Sequence, residues 1–135
     1  MKVHSTNYTN VLITPSEDSK AAFSMMPSTS GTIGAVQFDM LQASPYTLTG
    51  DDLLIAVLAT RKSIPQEEWA DLRAEIFSKG QPCTRVSPLV KTMGWALHHD
   101  ANSRIAMIDV GTKEYAALNA DDNVRKIHGM RNKRR

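Results

Sequence analysis

The sequence predicts an α+β domain in which about three helices cover a small antiparallel sheet built from an N-terminal strand and a C-terminal hairpin. Strand signals lie at about 9–14 and 95–110 of the 135-residue chain, and helical signals fill most of the part between them. Separation of this kind places helices on one face of an antiparallel sheet, whereas regular alternation of strands and helices would favour a parallel sheet.

The first strand is predicted at about 9–14, where a short run of β-branched and apolar residues is stopped by Pro15. The next segment, 16–31, is rich in Ser, Thr and Pro and therefore predicts a loop, with one helical turn around 20–23. This loop leads into the helical part of the chain.

Two helices are predicted after the loop. Thr32 can cap a helix over 32–43, whose apolar residues recur at helical spacing. Thr49-Gly50-Asp51-Asp52 is similar to a capping box and predicts a helix from about 50 to 62, with a buried strand as the rival. Metal binding or acid–base chemistry by Asp51 and Asp52 is an alternative, but capping explains both acids without a cofactor.

A third helix, at about 65–79, has the clearest signals. Ser63-Ile64-Pro65-Gln66 forms a second capping box with proline in the first turn. Apolar residues follow at helical spacing, which predicts that Trp69 is a core anchor. Gly80 lies where a left-handed residue commonly ends a helix.

The C-terminal part predicts a β-hairpin followed by a helix. Two extended runs, at 95–98 and 104–110, are separated by the turn residues 100–103. The first strand is expected to pair with this hairpin, because a lone two-stranded ribbon is only marginally stable. Thr112 then caps a short helix.

One domain is expected over 1–123, followed by a basic tail at 124–135. Six of the sixteen Lys and Arg residues fall in the last eleven positions, so the tail carries the basicity and the rest of the chain is slightly acidic. Nucleic-acid binding by this tail is disfavoured, because no aromatic residue is interleaved to stack on bases.

The sequence predicts a cytoplasmic protein without a membrane partner. Its longest apolar run, 53–59, is far shorter than the roughly 20 residues that a membrane-spanning helix needs. The N-terminus lacks the apolar core of a signal peptide. The single cysteine, Cys83, has no partner for an internal disulfide, which agrees with a reducing compartment. Homo-oligomerisation stays open.

The candidate site is a stretch without acidic residues, from Ile76 to His99, that contains cations, hydroxyls, the only cysteine and a histidine pair. Such a loop suits a small anion, because Arg holds a carboxylate or phosphate through two hydrogen bonds and Lys adds charge. The alternative is that these cations neutralise acids elsewhere in the fold. The candidate ligand-binding residues are Lys79, Gln81, Cys83, Arg85, Ser87, Lys91 and His98.

Catalysis is a further interpretation of this stretch. Positive charge from Arg85 and a nearby His98 or His99 would favour the thiolate of Cys83, whereas most unpaired cysteines are inert and buried. Either histidine with Asp100 forms a potential general base, and surface histidines at the end of a hairpin are the alternative. Zinc is disfavoured because the cysteine is alone and adjacent histidines on a strand point to opposite faces. The cofactor stays unknown.

A set of motifs along nearly the whole chain carries a family resemblance. These motifs lie at 7–13, 44–46, 49–54, 77–89, 94–95, His98, Tyr115 and 130–134. Through them the chain resembles a family of small uncharacterised bacterial proteins, a domain of unknown function. The resemblance implies a single bacterial cytoplasmic domain and assigns no activity to any residue. The chain departs from the family's pattern at Met93, where an aromatic residue is usual, and at Ala96, where glycine is usual.

Three functions therefore stay open. The sequence favours a binding module for a small anionic ligand at the 79–100 loop and hairpin. A structural or protein-interaction domain is the first alternative. A small enzyme that uses Cys83 with His98 or His99 is the second.

Overall fold

The computed structural model describes residues 4–133 and confirms the α+β class. Within these residues the helices are Ile33–Ala43 (α1), Gly50–Lys62 (α2), Trp69–Ile76 (α3), Pro88–Lys91 (α4) and Lys113–Ala120 (α5). The strands are Val11–Thr14 (β1), Trp95–His99 (β2), Ile105–Asp109 (β3) and Arg125–His128 (β4). None of the described helices is long and apolar enough to cross a membrane.

The strands form one sheet in the order β3-β2-β1-β4. The predicted hairpin is confirmed by the antiparallel pairing of β2 with β3, and β1 pairs with β2 in antiparallel fashion, as expected. The fourth strand runs parallel to β1, with Val11 opposite Arg125, so the sheet is mixed. The predicted tail at 124–135 therefore contributes a strand. Its basic and largely exposed residues carry no local strand pattern, and the pairing depends on a partner at the other end of the chain.

Helices cover both faces of this sheet, so the expectation of helices on one face is wrong. Successive side chains of a strand point to opposite sides, and here both sides carry apolar residues that need cover. On one face, α1, α2 and α4 pack over the larger core, which includes Val11, Ile13, Leu97 and Ile105. On the other face, α5 packs over a smaller core of Leu12, Ala96, Ala106, Ile108 and Val124.

The N-terminus of α2 confirms the predicted capping box and excludes the rival strand. The Thr49 hydroxyl accepts a hydrogen bond from the Asp52 amide at 3.1 Å, and the Asp52 carboxylate accepts one from the Thr49 amide at 3.1 Å. Buried Asp51 instead accepts bonds from the Thr6 amide at 2.7 Å and the Thr6 hydroxyl at 2.8 Å. Both acids therefore have structural partners at this helix end.

The structure corrects the start of the third helix. Ser63 forms no capping box, because it adopts a left-handed conformation (φ 55°) that ends α2. A 3-10 turn at Gln66–Glu68 comes first, without a side-chain cap, and α3 begins only at Trp69. Trp69 is half-buried and donates to the Ile64 carbonyl at 3.0 Å, so it is not the expected core anchor.

The end of α3 and the preceding loop also differ from prediction. The helix ends at Ile76, and Gly80 is not left-handed; among the described glycines, Gly31 and Gly94 have positive φ. No helical turn forms at 20–23. Instead the loop packs beside β2, where the Trp95 indole nitrogen donates to the Met25 carbonyl at 2.8 Å. Tertiary contacts determine the conformation of both segments, so a prediction from local propensity is wrong for them.

Candidate functional site

The stretch from 77 to 94 is an ordered connection that contains a 3-10 turn at Thr84–Val86 and the short helix α4. The Ser87 hydroxyl caps α4 by accepting from the Leu89 amide at 3.1 Å, and Pro88 occupies the first turn, where its missing N–H costs nothing. The same hydroxyl donates to Gln37 on α1 at 2.5 Å. These contacts fix the positions of Arg85 and Lys91 on either side of Ser87.

The C-terminal segment 129–133 docks beside these two cations. The Met130 amide donates to the Arg85 carbonyl at 2.8 Å, and the Asn132 side-chain amide donates to the Lys91 carbonyl at 2.8 Å. Asp18 holds the end of the segment, because its carboxylate accepts from the Asn132 and Lys133 backbone amides at 2.9–3.0 Å. These hydrogen bonds, the one from the Asn132 amide foremost, lower the pKa of Asp18 to about 2.

Two neighbouring clefts flank the docked segment and share Asn132 and Lys133. The first, called the lysine cleft, has a volume of about 460 Å³. Its lining is Asp18, Lys20, Lys91, Thr92, Asn132 and Lys133. The second, called the arginine cleft, has a volume of about 560 Å³. Its lining is Glu17, Arg85, His128, Gly129, Met130, Arg131, Asn132 and Lys133.

Positive charge dominates both clefts. Arg131 lies 3.5 Å from the Glu17 carboxylate. The other cations of the two clefts form no ion pair with a carboxylate in the part of the chain that the structure describes; they are Lys20, Arg85, Lys91 and Lys133. The Arg85 guanidinium donates to the His128 carbonyl at 2.7 Å. Arg85 and Lys91 therefore have no carboxylate partner within residues 4–133, although the alternative role of neutralising internal acids would require one.

A third cleft lies on the other side of the same connection and contains the thiol. This Cys83 cleft has a volume of about 220 Å³ and lies between α1, the start of α2 and the 82–88 turn. Partly exposed Cys83 lies 3.0 Å from the Tyr8 hydroxyl. Burial first, and then the hydrogen bond with Cys83, raise the pKa of Tyr8 to about 12.

Neither histidine hydrogen-bonds to Cys83 among the described residues. His99 is fully buried, and its Nε2 lies 2.9 Å from the Thr84 hydroxyl, so the expectation of surface histidines is wrong for this residue. Burial, and to a smaller degree the charge of His98, lower the pKa of His99 to about 4. The ring is therefore neutral at physiological pH. The thiol has a tyrosine partner where the enzyme hypothesis required a histidine.

His98 lies on the opposite face of β2 from His99, as the alternation of a strand requires. Its Nδ1 lies 2.7 Å from the Tyr46 hydroxyl, and burial lowers its pKa. Asp100 does not orient either ring; it accepts from the Asn102 amide at 2.8 Å and the Arg104 amide at 2.9 Å, which shapes the hairpin turn.

The structure thus distributes the seven predicted ligand-binding residues over several places. Arg85 and Lys91 line the two basic clefts, whereas Cys83 and Ser87 line the Cys83 cleft. His98 lies on the other face of the sheet. The two remaining residues lie near the end of α3: Lys79 is exposed, and Gln81 donates to the Ile76 carbonyl at 2.9 Å.

Sequence reasoning missed several residues that line these clefts or contact their lining residues. Asp18 meets Asn132 across a separation of 114 residues, and Tyr8 meets Cys83 across 75, so no local spacing connects them. The basic composition of the C-terminus was the only available signal for Lys133. No three His, Cys, Asp or Glu side chains within residues 4–133 lie close enough together to hold a metal ion.

Comparison with known protein families places the chain in a family. A model described as a family of unknown function, DUF6157, matches residues 3–135. Neither the curated proteins nor the solved structures contain a match to the chain.

Proposed function

The chain belongs to the DUF6157 family of unknown function, and we propose that it is a binding module for a small anionic ligand. The ligand occupies the lysine cleft, and the arginine cleft continues the binding surface. The observation that carries the proposal is the convergence of Lys20, Lys91 and Lys133 on one cavity of about 460 Å³. None of the three forms an ion pair within residues 4–133.

Electrostatics favours an anion in this position. Neighbouring ammonium groups repel one another, and an anion between them replaces that repulsion with attraction. Each ammonium group also has three N–H donors, which suit the oxygens of a phosphate or carboxylate. Asp18 is the acid in the lysine cleft, but both of its oxygens already accept hydrogen bonds from the docked segment.

The experiment is a thermal-shift titration with inorganic phosphate, pyrophosphate and citrate, each at constant ionic strength. We compare the wild type with Lys91→Gln, which removes one cation from the cleft. A ligand that binds only the folded state at 100 times its Kd stabilises it by about 2.7 kcal/mol, which raises Tm by several degrees. We expect at least one anion to raise the Tm of the wild type clearly more than that of Lys91→Gln.

Lys79→Gln is the matched control. It removes a cation from the same acid-free stretch, but Lys79 is exposed and lines none of the described clefts. The control variant should respond to the anion as the wild type does. Equal responses from all three proteins, or none from the wild type, would contradict the proposal.

We also propose that the protein acts in the bacterial cytoplasm. The single cysteine is a free thiol, which suits a reducing compartment. The family resemblance supplies the bacterial origin.

An interaction role is the second candidate, because the 16–31 loop exposes large apolar side chains. Phe23 is 67% exposed and Met26 is 73% exposed. Apolar residues grouped in this way favour contact with another protein surface, which includes a second copy of the chain. Sedimentation velocity of the wild type and Phe23→Ser/Met26→Ser over a range of concentrations tests this role. Self-association of the wild type that the double substitution abolishes would support this role. A wild type that stays monomeric at every concentration would exclude a homo-oligomer.

A further inference from the structure

The Cys83 cleft differs from the two basic clefts in its chemistry. Ile33, Leu53, Leu54 and Val86 contribute apolar walls, and no Lys, Arg, Asp, Glu or His side chain lines it in the described part of the chain. Ligand sites commonly combine apolar walls with a few polar groups. At about 220 Å³ the cleft is smaller than the roughly 300–1,000 Å³ typical for drug-sized ligands, so it suits a smaller molecule.

Thr84 in the cleft and buried His99 form a polar pair that contains one ring nitrogen without a hydrogen-bond partner among the described residues. Thr84 lines the cleft and is only 7% exposed, and its hydroxyl has His99 Nε2 as its hydrogen-bond partner within residues 4–133. His99 is fully buried, and its Nδ1 has no partner there. A neutral imidazole carries one N–H, on one nitrogen or the other.

The tautomer follows from the cost of burying an unpaired group. An N–H on Nδ1 would be a buried donor without an acceptor, which native structures rarely contain. With the N–H on Nε2 instead, the ring donates to the oxygen of Thr84, and Nδ1 is left with an unpaired lone pair, which costs less to bury than an unpaired N–H. The N–H is assigned to Nε2 on this ground. The hydroxyl proton of Thr84 is then free to donate elsewhere. Because Thr84 lines the cleft, water or a bound molecule in the cleft can accept this proton.

We propose that the Cys83 cleft is a second ligand site, which takes a small uncharged carbonyl compound. Its carbonyl oxygen accepts the Thr84 hydroxyl proton, and its apolar body packs against Ile33 and Leu53. The carbonyl end then lies on the side of the cleft that carries Cys83. This site is separate from the lysine cleft and does not depend on the anion proposed there.

The experiment titrates ¹⁵N-labelled protein with cyclopentanone and, as a probe that lacks the carbonyl, with cyclopentane. Amide shifts in the 82–88 turn report binding. We expect cyclopentanone to shift these amides and Thr84→Val to raise its Kd about tenfold, the equivalent of one hydrogen bond. Thr84→Ser retains the hydroxyl and should keep the Kd within about twofold of the wild type. Cyclopentane should bind Thr84→Val as it binds the wild type.

Three controls separate this site from general effects. Thr47→Val removes an exposed hydroxyl outside the cleft and should leave the Kd unchanged. Lys91→Gln should also leave it unchanged, which distinguishes this site from the anion site. If Thr84→Val does not fold, Val86→Trp replaces it, because Val86 is 42% exposed and a larger side chain there fills the mouth of the cleft.

Two results would overturn the proposal. One is the absence of cyclopentanone-induced shifts at residues 82–88 in the wild type. The other is a Kd for cyclopentanone that neither Thr84→Val nor Val86→Trp raises.

Discussion

The hydroxyl oxygen of Tyr8 lies 3.0 Å from the sulfur of Cys83, although the two residues are 75 positions apart in the chain. Because the pKa of Tyr8 is raised to about 12, this hydroxyl keeps its proton at pH 8. The hydroxyl can therefore donate to the thiolate, and such a bond to a charged group stabilises it.

Tyr8→Phe should slow the alkylation of Cys83 by iodoacetamide about threefold at pH 8, because the thiolate loses its donor. The effect is smaller than a full charged hydrogen bond implies, since the bond that stabilises the thiolate also reduces its nucleophilicity. Mass spectrometry of the intact protein follows the reaction at its single cysteine. Tyr115→Phe, on the other face of the sheet, is the control. An unchanged or faster rate in Tyr8→Phe would contradict the assigned donor.

Stability should fall as the pH is lowered through the range set by His99. The pKa of this ring is about 4 in the folded protein and 6.5 ordinarily. Between these two pH values the unfolded chain takes up a proton that the folded protein does not, which lowers the free energy of unfolding by about 3 kcal/mol in total. Below pH 4 both states are protonated, so the ring lowers the free energy of unfolding no further. Above pH 6.5 the full stability is present.

Urea unfolding at pH 7.5, 5.5 and 4.5 measures this loss. His99→Gln keeps a polar partner for Thr84 but does not titrate, so the difference between the two proteins isolates the ring. Nearby His98 and Asp100 are present in both proteins, so their own contributions to the pH dependence cancel in the comparison. Identical free-energy slopes with pH would show that His99 is not the group responsible.

Gly94→Ala should destabilise the protein by roughly 2–4 kcal/mol. Gly94 has φ +77°, and a Cβ atom there would lie 2.4 Å from the Phe23 carbonyl oxygen. Gly80→Ala is the matched control, because its Cβ would meet no heavy atom closer than 3.8 Å and its φ is ordinary. Chemical denaturation of both variants tests the contrast, and a cost for Gly94→Ala below that for Gly80→Ala would refute it.

Asp18→Ala should release the C-terminal segment, because the Asn132 and Lys133 amides lose their acceptor. Trypsin should then cleave after Arg131 several times faster, as mass spectrometry can follow. Asp122→Ala, at an exposed acid that accepts no such hydrogen bond within residues 4–133, should not change the rate. Since the pKa of Asp18 is about 2, the docked segment should persist in the wild type as the pH falls to 4 and be lost only near 2.

Elements with strong local signals were predictable from the sequence. Thr32, Thr49 and Thr112 each cap the helix expected of them, and the turn at 100–103 joins the expected hairpin. Ser63 shows the limit of such reasoning, because the same residue types suit a capping box and the end of the preceding helix. Only the packing of the two helices decides between these roles.

The candidate site was harder to predict because its parts come from distant segments. The sequence located Arg85, Lys91 and Cys83 but could not divide them between two sides of one connection. Lys20 and Lys133 join Lys91 through the docking of 129–133 on Asp18, which is a long-range contact. The sequence could not predict a role for Thr84, because that role depends on its hydrogen bond with His99 and on the complete burial of that ring.

The position of β1 in the sheet also affects how the protein forms during translation. Both neighbours of β1 are made much later, since Val11 pairs with His99 on one side and with Arg125 on the other. The sheet therefore cannot begin to form until most of the chain has left the ribosome, and its last edge closes only with the final strand. Such distant pairings slow folding and leave unpaired strand edges exposed meanwhile. A chain that stops before residue 125 would keep one edge of β1 open to aggregation.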